Sequence, residues 1–408
     1  VPTWFFLSLS FMLTALLLFF PLVAALLLLF VKGAAARTLA LGASLIEFGV
    51  AVTAALQHRS GASNLDFTHP WVASAGINFH IGMDGLSLLL VLLTTFLVPL
   101  ILLSSFRHDY RNAPSFYALV LFMQTGLIGV FVSLDAFLFY FFWEVALIPI
   151  YFLAGVWGGE RRVQVTFKFF LYTIIGSLFM LAGFVYLYLK TGTAGAHSSE
   201  LAAFTSLKLS ASEQGWLFWL IFAAFAVKMP IFPFHNWQPD TYTESPAPAT
   251  MLLSGIMLKM GIYGCLRWLL PVVPLGLNGQ FGGRLVIVLA VIGIIYGAII
   301  AIRQRDMKRL IAFSSLSHVG LMAAGMFSLN LNGLQGAVVQ MLAHGVNVVG
   351  MFFIADAIER RTGTRYIPDL GGLTRRTPVL SICFLILLLS TVALPLTGGF
   401  VGEFLLLA

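Results

Sequence analysis

The sequence predicts an all-α protein, a polytopic membrane helix bundle. Of its 408 residues 60% are hydrophobic and only 10% charged, with a mean hydropathy of +0.97. Soluble domains carry about 25% charged residues, so a soluble fold is excluded. Apolar runs near the ~20 residues that cross ~30 Å of hydrocarbon recur along the whole chain. Turn chemistry separates them: GASN at 61–64, HDYRNAP at 108–114, TGTAGAHSS at 191–199, PVVPLGLNG at 271–279 and LGGLTRRTP at 370–378.

The pattern places helices at about 4–31, 38–57, 83–105, 116–134, 137–157, 168–189, 216–240, 247–269, 284–303, 308–328, 333–358 and 379–408. The first run has no basic leader and no small-residue cleavage site, so it reads as a spanning helix and not a signal peptide. Residues 58–82 and 190–215 are the longest polar stretches and read as loops. Asp84 and Asp135 stand at helix ends and read as caps. Cys265 and Cys383 both lie in apolar helices and are expected to be buried, inert thiols. With no CxxC or Cys/His cluster, no metal or redox centre is expected on this chain.

Loops after odd-numbered helices hold 16 Lys and Arg, the opposite loops hold 5, and Lys228 and Lys259 lie inside helices. This asymmetry predicts an N-terminus outside, by the positive-inside tendency. It also accounts for the net charge of +7 without any nucleic acid.

Two helices should be broken. Pro230 and Pro233 interrupt the seventh, and Pro395, Gly398, Gly399 and Gly402 the twelfth. Proline removes a backbone donor, and freed polar groups at membrane depth are tolerated only inside protein or beside water. Paired broken helices point to inverted repeats with the site at the breaks, and a separation of five helices, an odd number, inverts the orientation. The predicted organisation is residues 1–115 for helices 1–3, 116–270 for a first repeat, and 284–408 for a second. The second repeat is read as incomplete, because the chain stops inside an apolar run at Ala408. It also begins with Val1 rather than Met.

Ionisable residues inside these helices cost at least ~2.5 to 3.5 kcal/mol each, and such residues mark ion or proton pathways. By helix rise, Lys228 and Lys259 lie roughly 18 Å deep, Glu144 about 10 Å, His318 about 15 Å and His344 about 16 Å, and Glu403 follows the second break. Six groups on six helices in one middle band suit proton movement. A desolvated lysine releases its proton readily while a nearby carboxylate restores its affinity, and histidine passes protons between two nitrogens. Each also has a structural reading: Glu144 and Lys228 as a static buried pair, the histidines as core residues bonded across helices, Glu403 as an interfacial residue. Glu47 reads as structural, and His235 stands evenly between anchoring the break and relaying protons.

The segments HIGMDGLSLLLVLLT, FLFYFFWEVALIPIYFLAGVWG, AVKMPIFPFHNWQPDTYTESP, GIMLKMGIYGCLR, DMKRLIAFSSLSHVGLM, MLAHGVN and GGFVGEF resemble the antiporter-like membrane subunits of respiratory complex I, most of all the subunit M (mitochondrial chain 4) branch. The resemblance covers residues 75–408 and departs at IMLKM and ESPAPAT. It implies fourteen helices, of which about twelve lie here, in two inverted five-helix repeats with breaks in helices 7 and 12. It implies a pump lysine at Lys228 tuned by Glu144, a connecting lysine at Lys259, relay histidines at His318 and His344, and a terminal exchange site at Glu403. No cofactor is implied on this chain; NADH, FMN, iron–sulfur clusters and quinone would reside in partner subunits. The implied partners are other membrane-arm subunits, including neighbouring antiporter-like ones, in a bacterial inner membrane. The rivals are a subunit of a multisubunit cation/proton antiporter, the photosynthetic NADH-dehydrogenase-like complex, and a purely structural membrane scaffold.

Overall fold

A computed structural model of the chain describes residues 3–33, 35–59, 65–192, 196–278 and 282–408. The turn expected at GASN, and parts of those expected at TGTAGAHSS and PVVPLGLNG, lie outside them. The expected twelve helices are present: α1 (Thr3–Leu28), α2 (Ala35–Arg59), α3 (Gly85–Ser104), α4 (Ala113–Val132), α5 (Ala136–Trp157), α6 (Arg162–Gly192), α7 in two halves (Ala211–Lys228 and Gln238–Glu244), α8 (Ala247–Val272), α9 (Gly283–Ile302), α10 (Met307–Phe327), α11 (Leu331–Thr362) and α12 in two halves (Pro378–Thr391 and Gly398–Leu407). Among the described residues nine of these are long and apolar enough to cross a bilayer unbroken. The chain is an integral, multi-pass membrane protein.

Helix α8 is the axis. Of its apolar window 94% is buried, against 28% for α2 and α9, which form outer faces. It packs on α3, α7 and α11, while α10 packs on α9 and α11, and the second half of α12 lies against α11. Two stretches of α8, Leu253–Met257 and Cys265–Leu269, widen into π-helical turns. The first half of α12 buries none of its residues. Consequently Cys383 is exposed, contrary to the expectation of two buried thiols, while Cys265 is buried.

The polar stretch 58–82 is not all loop. It contains an antiparallel hairpin of β1 (Phe67–Val72) and β2 (Ile77–Ile81), turned through Gly76 in the left-handed region at φ 63°. Pro70 in β1 removes a backbone donor, and the pairing slips between Pro70 and Val72. The hairpin docks through Gly82 N–H to the Val132 carbonyl (2.7 Å) and Leu134 N–H to the His80 carbonyl (3.0 Å).

The two repeats share a device. Asp135 caps α5 by accepting from the Phe137 and Leu138 N–H groups (2.9 and 3.2 Å), and its backbone pairs with Glu200 in the loop before α7. Asp306 caps α10 by accepting from Arg309 N–H (3.0 Å), and its backbone pairs with Tyr366 in the loop before α12. The same junction therefore recurs five helices later, on the opposite face. On the basic face, Asp240 of α7 joins the halves by holding Lys168 (3.1 Å) of α6 and Arg309 (2.9 Å) of α10.

On the other face the His80 imidazole bonds Glu200. Burial opposes a charge on His80. The hydrogen bond and negative charge of Glu200, with Asp66 and Asp135 nearby, together outweigh it and hold the pKa above the ordinary histidine value. A raised folded-state pKa adds stability that is complete below the unfolded value of ~6.5 and is lost as pH rises through the folded one. The melting-temperature gap between the wild type and His80→Gln in detergent is thus widest below about pH 6.5 and closes on the alkaline side. A gap independent of pH would show that this pair does not anchor the hairpin.

Candidate functional site

Lys228 ends the first half of α7. It is 2% exposed, and its ammonium has no hydrogen-bond partner. The ammonium lies over the Trp143 ring, whose centroid is 5.3 Å from Nζ, a distance at which the ring's negative face attracts a cation. Glu144, the next residue on α5, acts on Lys228 through space, and its Oε1 is buried and unpaired. The expected pair is therefore a pair of neighbours without a direct ion pair. Pro149 adds a discontinuity on α5 just beyond, because it cannot donate to the Val145 carbonyl.

Residues 229–237 form the break. Ile231 N–H reaches back to the Ala226 carbonyl (3.0 Å), and the Trp237 indole N–H takes the Val227 carbonyl (3.0 Å). Ile231 N–H thus takes the place of the donor that Pro230 lacks, and the Trp237 side chain serves the Val227 carbonyl that Ile231 leaves. Gly261 of α8 lies directly against this turn, where a Cβ would stand 2.8 Å from the Phe225 carbonyl oxygen and 2.9 Å from Met229 N. Close approach of α8 to the break thus requires glycine.

Lys259 is fully buried two residues earlier on α8. Its Nζ donates to the Ser254 carbonyl (2.7 Å), which lies in the first π-helical stretch, and meets His344 Nδ1 at 2.9 Å. Wide turns of this kind recur at functional sites. Gly255 and Gly345 face each other between α8 and α11, each Cβ position within 4 Å of the other's carbonyl oxygen, and this close crossing brings Lys259 to His344. At 2.9 Å one partner must donate and the other accept, so one N–H lies between the two nitrogens. His344 Nε2 meets Ser315 Oγ at 3.0 Å.

His318 lies with its ring centroid 5.8 Å from that of His344. Its Nδ1 faces the Ser314 carbonyl (2.7 Å) and its Nε2 the Thr391 carbonyl (2.9 Å), with Glu403 Oε1 at 3.4 Å. The Thr391 carbonyl is free because Pro395, four residues on, has no N–H to give it. Gln340 Nε2 holds Glu403 at 3.2 Å. A cavity of about 210 Å³ lies among Ser315, His318, Gln340, His344, Asn347 and Glu403, with apolar walls that include Ile311, Val348 and Val392; it is roomy enough for waters along its polar side chains.

Of the six candidate residues, four form one cluster, running from Lys259 through His344 and His318 to Glu403. Glu144 and Lys228 form a second group at the other break. No hydrogen bond joins Lys228 to Lys259. Sequence reasoning missed Ser315, Gln340 and Trp143. Gln340, His344 and Asn347 lie at i, i+4 and i+7 on an otherwise apolar helix, a stripe that was available in the sequence. Ser315 stands nine residues past the cap Asp306, as Glu144 stands nine past Asp135, so aligning the repeats would have found it.

Residues 133–408 match the profile of the family described as NADH:quinone oxidoreductase/Mrp antiporter, transmembrane. The chain belongs to this family. It is 41% identical over 339 residues to NADH-quinone oxidoreductase subunit M of Rickettsia conorii, covering 83% of this chain and 67% of that protein. It is 37% identical over 404 residues to F(420)H(2) dehydrogenase subunit M of Methanosarcina mazei, covering 96% of this chain and 80% of that one. Within respiratory complex I from Thermus thermophilus, a chain superposes with a TM-score of 0.88 at 32% identity, over 97% of this chain and 81% of that chain. The antiporter-like fold implied by the resemblance is the fold of this family.

A Gly261→Ala change forces a methyl group onto the backbone of the α7 break. It should destabilise the protein by about 1–3 kcal/mol, as overpacking does. The melting temperature of the purified variant checks this, and an unchanged value would mean that the break can shift freely.

Proposed function

We propose that this chain is a proton-translocating membrane subunit of a complex I-type NADH:quinone oxidoreductase, driven by quinone reduction in partner subunits that hold NADH, FMN, iron–sulfur clusters and quinone. The observation that carries the reading is the contact between Lys259 and His344, two buried bases in hydrogen-bond contact at 2.9 Å. No static packing role calls for two bases in that position, whereas a proton relay does.

In this reading Lys228 loads a proton in a site whose affinity Glu144 sets. Waters between the breaks carry it to Lys259. The Lys259 ammonium gives its proton to His344 Nδ1, and His344 releases the Nε2 proton toward Ser315 and the cavity water. Glu403 takes a proton from His318 Nε2, His318 is refilled from the cavity water, and Glu403 exchanges its proton with one side of the membrane. Each transfer leaves one donor bare and one acceptor filled, so no charge accumulates beyond one proton per step. The two repeats, residues 116–270 and 284–408, would each hold one break and one part of this path. Neighbouring antiporter-like subunits of the membrane arm would flank the chain, in a bacterial inner membrane with the N-terminus outside and the basic face inside.

The family description also includes Mrp antiporters, so a subunit of a multisubunit cation/proton antiporter is the second reading. Co-purification separates the two: flavin and iron–sulfur subunits accompany the chain in the first, and only other antiporter subunits in the second.

Glu144→Gln and Lys228→Ala in the assembled complex should abolish proton pumping and slow coupled quinone reduction. Electron transfer to a soluble acceptor, which bypasses the membrane, should persist. Wild-type pumping in both variants would sink the relay reading. Reduced complex yield with an unchanged proton-to-electron ratio would favour a scaffold instead.

A further inference from the structure

A groove of about 990 Å³ opens between α3, α11 and the first half of α12, with Met251 of α8 also lining it. Its walls are mostly large apolar side chains, of which Leu100, Leu103, Val346, Phe353 and Val379 are exposed. The first half of α12 buries none of its residues, and Cys383 stands exposed on the groove wall. At the deep end α12 presses on α11: a Cβ on Gly350 would stand 2.6 Å from Leu387 Cδ1.

The three helices enter the groove from the same, basic face of the bundle. Leu97 lies ten residues before Arg107, Leu387 ten after Thr377, and Val346 fifteen before Arg361. At helical rise the groove therefore reaches roughly 15–22 Å into the membrane. One leaflet of a ~30 Å hydrocarbon core has about that depth.

The mouth carries positive charge. Arg107, Arg360 and Arg361 all line it, and Arg375 and Arg376 stand just before Thr377 in the chain. Asp356 offsets Arg360 (3.0 Å) and also meets His108 Nε2 at 3.0 Å. Among the described residues Arg361 bonds the Ala357 carbonyl alone (3.1 Å), and the Arg107 side chain makes no hydrogen bond or ion pair. Two guanidinium groups without a carboxylate thus head an apolar groove one leaflet deep. A partner helix seats itself through small residues that let backbones approach, and these walls are Leu, Val, Ile and Phe. Flexible acyl chains suit such walls, and guanidinium groups hold phosphate through paired N–H donors.

We propose that this groove binds one phospholipid with an anionic headgroup. Its acyl chains lie along α3, α11 and α12, and its phosphate is held by Arg107 and Arg361. The positive mouth disfavours the added cation of a zwitterionic headgroup. The site is separate from the buried bases and does not depend on their carrying protons.

The test uses the complete complex in phosphatidylcholine vesicles with a trace of photoreactive lipid, a diazirine in one acyl chain. The headgroup is either phosphatidylglycerol or phosphatidylcholine, and mass spectrometry locates the cross-linked peptides. Phosphatidylglycerol should label the segments around Phe353 and Leu380, and unlabelled phosphatidylglycerol should displace it. The phosphatidylcholine reagent should label them far less. Arg107→Gln with Arg361→Gln should weaken labelling about fivefold per arginine, the scale of one basic charge at a membrane surface. Leu100→Trp, which fills the groove and keeps the arginines, should abolish it. Equal labelling by both lipids, unchanged in the glutamine pair, would mean bulk lipid only and overturn the proposal. Full labelling of Leu100→Trp would do the same. Absence of labelling in a complex of normal subunit content would mean that a protein segment covers the groove, which also overturns it. The readout is labelling, so loss of pumping or its persistence leaves this result unaffected.

Discussion

A helix broken inside a bilayer leaves backbone groups that water cannot reach, and the arrangement of this molecule follows from how those groups are satisfied. At the second break the Thr391 carbonyl has lost its helical donor to Pro395, and His318 fills the vacancy. At the first, the indole of Trp237 does the same for Val227. One replacement donor is a titratable ring and the other is not. The second break is thereby wired into the buried chain of bases, while the first keeps its lysine bare. The difference arises from single side chains on otherwise matching halves.

The glycines supply the other half of the geometry. Membrane helices gain little from hydrophobic association with one another, so close contact needs small residues. Gly261 lets α8 meet the first break, and Gly255 with Gly345 lets α8 meet α11. Lys259 is thus held between a break on one side and a histidine on the other. The π-helical turn beside it aims the Ser254 carbonyl at its ammonium. Ion pairs then tie the two halves together away from the core, with Asp240 gripping Lys168 and Arg309 at once.

Much of this was legible in the sequence, for definite reasons. Proline breaks are readable because a missing N–H is a covalent fact. The buried charges are readable because their cost in hydrocarbon makes accident improbable. Helix count and the basic face follow from length and composition. Pairings were not readable, since they depend on how each helix is rotated about its axis: Glu144 and Lys228 are neighbours without an ion pair, and Lys259 bonds His344. The π-helical turns of α8 were hidden because LSGIM and CLRWL contain no residue that forbids an ordinary helix. The hairpin was missed because Pro70 argues against a strand unless the strand lies at an edge, as it does here. Cys383 was misplaced because apolar sequence says only that a helix avoids water, not whether protein or lipid covers it.

The contact between Lys259 and His344 has an arithmetical consequence. Two cations cannot occupy buried bases 2.9 Å apart without a cost far beyond thermal energy. In the proposed relay the pair would act as a turnstile: whatever arrives on the lysine side would be admitted only when the histidine side has emptied. Such a device needs no moving lid to keep its two ends from filling together. Its count would be kept by repulsion, and its fidelity set by a separation that two glycines, Gly255 and Gly345, fix.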